Sequence, residues 1–263
     1  MARIAVAATA PFGAEVLEDL ARRHEIAYLL TQPDRPRGRG RKVAPPPSKE
    51  VAERLGIPLR QPERLGSDFD PEVETVVTVA YGQLVPRGAL ERARWLNVHP
   101  SLLPRWRGAA PVERALMAGD EETGVTIHRT TTALDAGPVA AQRPFPIAPD
   151  DDAGAVYARA AEVAAELLID VLAQDEPRFE PQPEEGVTYA EKIGPEDREL
   201  DPDAPAPELV NRVRALSPHI GARLGDLLVW RAQVAEDGSF EPVEVQPAGG
   251  RRMAYDAYLR GRR

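Results

Sequence analysis

The sequence predicts an α/β fold: a Rossmann-like, mostly parallel sheet flanked by helices, followed by a small β-rich C-terminal domain. Three observations carry this. Apolar runs of about five residues alternate with helix-spaced segments over the first two thirds of the chain, the pattern of βαβ units. The first of them, residues 4–8, is apolar at every position, as in a strand buried on both faces. Beyond a proline- and acid-rich stretch near residue 180 the pattern changes to short strand candidates.

Taken in order, residues 4–8 form the first strand, and residues 14–23 follow as a helix with Val16, Leu17 and Leu20 at helical spacing. Residues 25–31 are a second strand. Residues 48–55 are a short helix with Ser48 as its expected N-cap. Residues 73–80, 95–98 and 125–129 are further strands. Residues 153–173 are an amphipathic helix with Val156, Ala160, Val163, Leu167 and Val171 on one face, and Asp150, Asp151 and Asp152 stand at its positive end. The stretch 175–186 reads as a linker. After it come a helix near 208–216 and strand candidates at 222–224, 227–234 and 242–245. The expected domains are residues 1–182 and 204–263, joined by 183–203.

The 263 residues carry a net charge of −9, 43% hydrophobic residues and no cysteine. That excludes disulfides and thiolate chemistry, and confines any nucleic-acid contact to a local basic patch. No stretch approaches the roughly 18 apolar residues of a membrane span. A soluble cytoplasmic monomer is expected. Four scattered histidines lack metal-ligand spacing, so no metal is expected.

In an open α/β sheet, ligands sit beyond the carboxyl ends of the strands. Asn97 and His99 stand there, two apart at the end of an apolar run, so they share one face of a strand. An amide donor beside an imidazole suits the oxyanion of an acyl-transfer intermediate. Asp135, in the polar loop after the strand at 125–129, is placed to orient His99 and favour its charged form. On spacing alone, His99 reads equally as a strand-end residue, and Asp135-Ala136-Gly137 as a turn. His24 and His128 read as ordinary surface or strand residues, and His219 as part of a turn.

The block from Asn97 to Pro111, Asn-Val-His-Pro-Ser-Leu-Leu-Pro-Arg-Trp-Arg-Gly-Ala-Ala-Pro, resembles the signature of the folate-dependent formyltransferase family. Segments 31–42, 80–86, 124–127, 134–137, 188–193 and 245–249 agree with that family in order along the chain. The resemblance implies 10-formyltetrahydrofolate as donor and the α-amine of methionine on initiator tRNA as acceptor. It implies Asn97, His99 and Asp135 as the catalytic set. It implies a folate pocket at Tyr81, Gly82, Gln83, Leu84, Val85, Pro86, Ser101, Leu102, Leu103, Pro104, Leu134 and Gly137. Arg35, Arg37, Arg39, Arg41 and Lys42 form a basic loop in an acidic chain, matching a loop with which the family contacts tRNA.

Three departures stand out. The first strand leads into Ala8-Thr9-Ala10-Pro11 rather than a Gly-Thr-Pro turn, and Pro138 replaces an acidic residue after Gly137. The family's C-terminal oligonucleotide-binding (OB) barrel has five strands; here about three are legible, implying an abbreviated OB-like barrel. The competing readings are a formyltransferase acting on an amino-sugar nucleotide, an inactive folate- or RNA-binding module, and a nicotinamide dehydrogenase. The last lacks its Gly-x-Gly-x-x-Gly.

Overall fold

The computed structural model describes residues 2–37 and 42–261. In chain order the first half runs β1 (Arg3–Ala8), α1 (Pro11–Ala21), β2 (Glu25–Leu30), β3 (Arg35–Arg37), β4 (Lys42–Ala44), α2 (Pro47–Leu55), β5 (Leu59–Arg60), β6 (Thr75–Val79), α3 (Arg87–Leu90) and β7 (Arg94–His99). There follow β8 (Arg107–Gly108), α4 (Pro111–Ala118), β9 (Glu122–Arg129), β10 (Val139–Pro146), α5 (Ala153–Leu172), β11 (Tyr189–Ala190), α6 (Ala206–Leu216), β12 (Ala222–Leu224), β13 (Leu227–Val234), β14 (Phe240–Pro247), β15 (Met253–Ala254) and α7 (Tyr255–Arg260). Two compact units emerge. One holds residues 1–107, 124–144 and 158–187; the other holds 108–123, 145–157 and 188–263. The units interleave along the chain, where the sequence reading placed a single break.

The first unit is built on a seven-stranded sheet in the order β10-β9-β7-β6-β1-β2-β5. The β1–β2, β1–β6, β6–β7 and β2–β5 pairs are parallel, and β7–β9 is antiparallel. β6 is buried at every residue and β1 at all but its first, which explains the unbroken apolar run of β1 and the run of valine and threonine in β6. One core cluster gathers Ala5, Ala7, Tyr28, Leu30, Val76, Tyr81 and Trp95. The indole N–H of Trp95 is satisfied inside it by Ala89 O at 2.9 Å.

Helix α1 starts three residues earlier than the apolar spacing suggests, because Pro11 occupies the first helical turn, where its missing N–H costs nothing. Gly13 permits the close approach of α1 to the sheet, since a Cβ there would lie 2.6 Å from Val79 O. The expected N-cap Ser48 is corrected. Pro47 begins α2 one residue sooner with Pro46 as N-cap, and the Ser48 hydroxyl donates instead to Ala10 O at 3.5 Å. Asp152 does cap α5, accepting from Ala155 N at 2.9 Å.

In the second unit β12-β13-β14-β15 form an antiparallel meander. Leu209, Val213 and Leu216 of α6 share its core with Ala222, Val229 and Val245, and Met117 of α4 packs against them. Arg114 of α4 makes a two-pronged ion pair with Asp197 at 2.6 and 2.8 Å. The abbreviated barrel expected from the sequence is this open sheet. Its fourth strand has only two residues, too few to give an alternating signal. No helix among the described residues is long and apolar enough to cross a membrane.

Candidate active site

The sheet register assembles the site. Asn97 of β7 lies directly across from His128 of β9, and His99 lies across from Thr126. Residues two apart on a strand share a face, and directly opposed antiparallel residues share it too. Asn97, His99, His128 and Thr126 therefore present to one side. The loop after β9 returns over that side and brings in Asp135.

The hydrogen bonds fix orientations. His128 Nδ1 stands 3.1 Å from Arg129 O. A carbonyl only accepts, so in the neutral ring Nδ1 carries the proton and Nε2 accepts. Asn97 Nδ2 is 3.0 Å from that Nε2 and donates to it. Its second hydrogen goes to Asp135 Oδ1 at 3.3 Å. His99 Nε2 lies 2.7 Å from Trp106 O and must donate. That leaves Nδ1 as a lone pair 3.7 Å from Asp135 Oδ2, beyond hydrogen-bonding range.

His99 is 4% exposed, and burial is the largest influence on it. Burial lowers its pKa below the usual histidine value, and the opposing pulls of Asp135 and of the Trp106 carbonyl do not offset it. The neutral imidazole is thus the resting form at pH 7. This corrects the charged form expected from the sequence, because desolvation outweighs a carboxylate 3.7 Å away.

The backbone is strained at the same place. Ala80, Trp106 and Asp135 have φ of 45°, 62° and 44°, in the left-handed region uncommon for residues other than glycine. Ala80 directly follows β6 and Trp106 directly precedes β8, and strain of this kind clusters at functional sites.

A family model described as "Formyl transferase" matches residues 2–172. The chain belongs to the formyl transferase family. Among its relatives, the methionyl-tRNA formyltransferase of Halorhodospira halophila is 42% identical over 100% of this chain and 97% of its own length. The protein of that name from Heliobacterium modesticaldum is 38% identical over 99% and 97%. The first alignment spans 301 positions against 263 residues here, so that relative carries segments this chain lacks. Among solved structures, methionyl-tRNA formyltransferase from Clostridium thermocellum superposes with a TM-score of 0.66 at 16% identity, over 94% of this chain and 99% of that one. The N-formyltransferase from Helicobacter canadensis, solved with folinic acid and dTDP-3-aminofucose, gives 0.69 at 17% identity over 89% and 88%. At these identities the likeness is one of fold.

Of the formyl transferase segments assigned to folate by resemblance, some present side chains outward and some do not. Leu84 is 88% exposed and Leu134 58% exposed. Tyr81 turns its ring into the core, where burial pushes its hydroxyl up to about 12; its carbonyl accepts from Thr9 Oγ1 at 2.8 Å and from Gln32 Nε2 at 3.1 Å. Gly82 O also accepts from Gln32. Gln83 Oε1 accepts from Leu65 N, and Val85 packs against the same core. Pro86 caps α3. Ser101 is buried and donates to Arg105 O at 2.6 Å. Leu102 packs at Gly124, and Leu103 N donates to Thr126 Oγ1. Pro104 follows it, partly exposed. Gly137 is pressed onto β9 so closely that a Cβ would sit 1.7 Å from Arg129 O.

Of the basic stretch, Arg35 and Arg37 lie in β3 and Lys42 in β4, the two arms of a hairpin. Arg35 and Lys42 are exposed. Arg39 and Arg41 lie outside the described residues. At the hairpin base, Thr9, Gln32, Pro33, Arg35, Ala44 and Pro46 line a recess open to solvent. Among the described residues no group of three or more histidine, aspartate or glutamate side chains is placed to hold a metal.

The residue missed by sequence reasoning is His128. It is 1% exposed and holds the Asn97 amide. Its one available signal was its position on the strand that leads into the Asp135 loop; without the register, nothing linked it to Asn97.

Proposed function

We propose that this protein transfers a formyl group from 10-formyltetrahydrofolate to the α-amine of methionine on initiator tRNA, in support of translation initiation, with Asn97, His99 and Asp135 as its catalytic groups. The observation that carries this reading is the Asp135 carboxylate, which stands between the Asn97 amide and the Nδ1 side of a buried, neutral His99 in a chain of the formyl transferase family.

The donor supplies an electrophilic formyl carbon. Exposed Leu84 and Leu134, the latter beside Asp135 in the chain, give an apolar ring system something to cover. His128 holds one Asn97 hydrogen, so the other points into the site, where the formyl oxygen takes it from Asp135 Oδ1. A donor of this kind typically contributes about a hundred- to a thousandfold in rate. His99, anchored through Nε2–H, offers Nδ1 as the base. It takes the proton the attacking amine loses and returns it to the departing nitrogen. Asp135 stabilises the imidazolium in between. General acid–base help of this order is worth roughly a hundred- to ten-thousandfold.

Proteins 38–42% identical over nearly the whole chain carry the name methionyl-tRNA formyltransferase. The sugar N-formyltransferases resemble it in fold at 16–22% identity. The exposed cations Arg35 and Lys42 on a hairpin suit phosphate contacts. The test incubates the protein and a formyl-folate with charged initiator tRNA or with an amino-sugar nucleotide. A mass gain of one formyl group on the methionyl-tRNA alone supports the reading. Formylation of the sugar alone overturns it.

A further inference from the structure

The proline-rich stretch after α5 has the composition of a linker, yet its backbone and side chains are engaged. Glu180 pairs with Val139 through two backbone hydrogen bonds of 2.7 and 2.9 Å. Phe179 receives the Arg129 guanidinium over its ring at 4.4 Å. These contacts lay the stretch against the end of the loop that carries Asp135.

Gln182 then reaches into that loop. Its Nε2 donates to Asp135 O at 2.7 Å and to Gly137 O at 2.8 Å. Its Oε1 accepts from Arg107 Nε at 3.0 Å and Nη2 at 2.6 Å. Arginine only donates and carbonyls only accept, so the amide fits in one orientation. Both its hydrogens and its oxygen are committed. Arg107 directly follows Trp106, whose carbonyl orients His99. A single side-chain amide thus joins the two segments that set the placement of Asp135 and of His99. It does so where Asp135 is held at φ 44°, a conformation that persists only if its surroundings over-determine it.

We propose that Gln182 is a positioning residue for formyl transfer: it ties the Asp135 loop to Arg107 and thereby fixes Asp135 against His99 and Asn97. This rests on the catalytic reading of those three residues. The Gln182 amide is spent on contacts within the protein. Its role is exerted through backbone placement, and a displacement of about 1 Å at a catalytic group can cost on the order of a hundredfold.

The variant is Gln182→Met, similar in shape and unable to make any of the four hydrogen bonds. We expect kcat to fall about ten- to a hundredfold, with KM for both substrates within about twofold and the thermal midpoint near wild type. The His99 ring, followed by NMR in the protein alone, should titrate at still lower pH, because Asp135 is the larger of the two influences that raise it against burial. Gln182→Glu keeps the acceptor for Arg107 but sets a carboxylate against two carbonyls, so it should not rescue. Arg107→Leu leaves the loop bonds in place and should give a smaller loss in the same direction. It serves as the test if Gln182→Met does not fold. A wild-type kcat in Gln182→Met, or in Arg107→Leu in that event, overturns the proposal. So does a kcat loss with the His99 titration unmoved. His99→Ala and Asp135→Ala run in parallel: if they retain activity, the catalytic assignment itself fails, and if they are inactive while Gln182→Met is not, only the positioning role does.

Discussion

Replacing His128 by leucine removes the acceptor that holds Asn97 Nδ2 at 3.0 Å and leaves β9 otherwise apolar at that position. The site is closed to water on this side, with His128 1% exposed. An N–H left unpaired in such a place costs about 1–3 kcal/mol. The Asn97 amide can relieve this only by turning both hydrogens toward the Asp135 carboxylate, one of which it already contacts at 3.3 Å. Asn97 is then misdirected for the formyl oxygen by the same energy, which corresponds to roughly a five- to 150-fold loss in kcat. KM should change by less than about twofold, since the amide matters most as charge develops. Steady-state formylation of methionyl-tRNA at saturating formyl-folate measures this. His128→Gln, whose amide oxygen can reach the place of Nε2, should recover most of the loss. A leucine variant within about twofold of wild type, or a folded glutamine variant as slow as leucine, would refute the reasoning.

Three further outcomes are expected. The His99 ring should titrate below the ordinary histidine range by NMR, and Asp135→Asn should lower it further, because Asp135 is the leading influence that raises it. Since the folded ring binds a proton less well than the unfolded one, stability should be level above about pH 6.5 and fall as pH drops below it; urea unfolding of wild type and His99→Asn across that window should show the difference. Glu113, whose carboxyl is pushed up by burial while it accepts from Tyr157 at 3.0 Å, destabilises the fold as pH rises above the unfolded carboxylate value; Glu113→Gln should therefore melt higher than wild type at pH 7 and alike at pH 4. Neutralising Arg35, Arg37 and Lys42 should flatten the slope of log K against log salt for tRNA binding; an unchanged slope would remove the hairpin from the tRNA contact.

Much of the sheet was legible because its central strands are buried on both faces and so stand out as apolar or β-branched runs, as β1 and β6 do. Asn97 and His99 were legible for a related reason: polar groups two apart at the end of such a run have to face the same way. His128 was not, because membership of the site is a matter of strand register, and register is a long-range property that local spacing does not encode. The stretch around Gln182 misled in the opposite direction. Proline and acidic residues exclude helix and central strand, but they do not prevent a side-chain amide from hydrogen-bonding a distant loop. The charge on His99 was misjudged for want of burial, which only the packed structure supplies. The basic loop proved to have β-hairpin arms, which its glycines and prolines conceal in the sequence.

The most direct test of the central claim is single-turnover formyl transfer to methionyl-tRNA with His99→Ala beside the wild type, together with folate binding measured separately. Wild type should yield formylmethionyl-tRNA, while His99→Ala should bind the folate with unchanged Kd and transfer at least about a hundredfold more slowly. Transfer by His99→Ala at the wild-type rate would contradict the account.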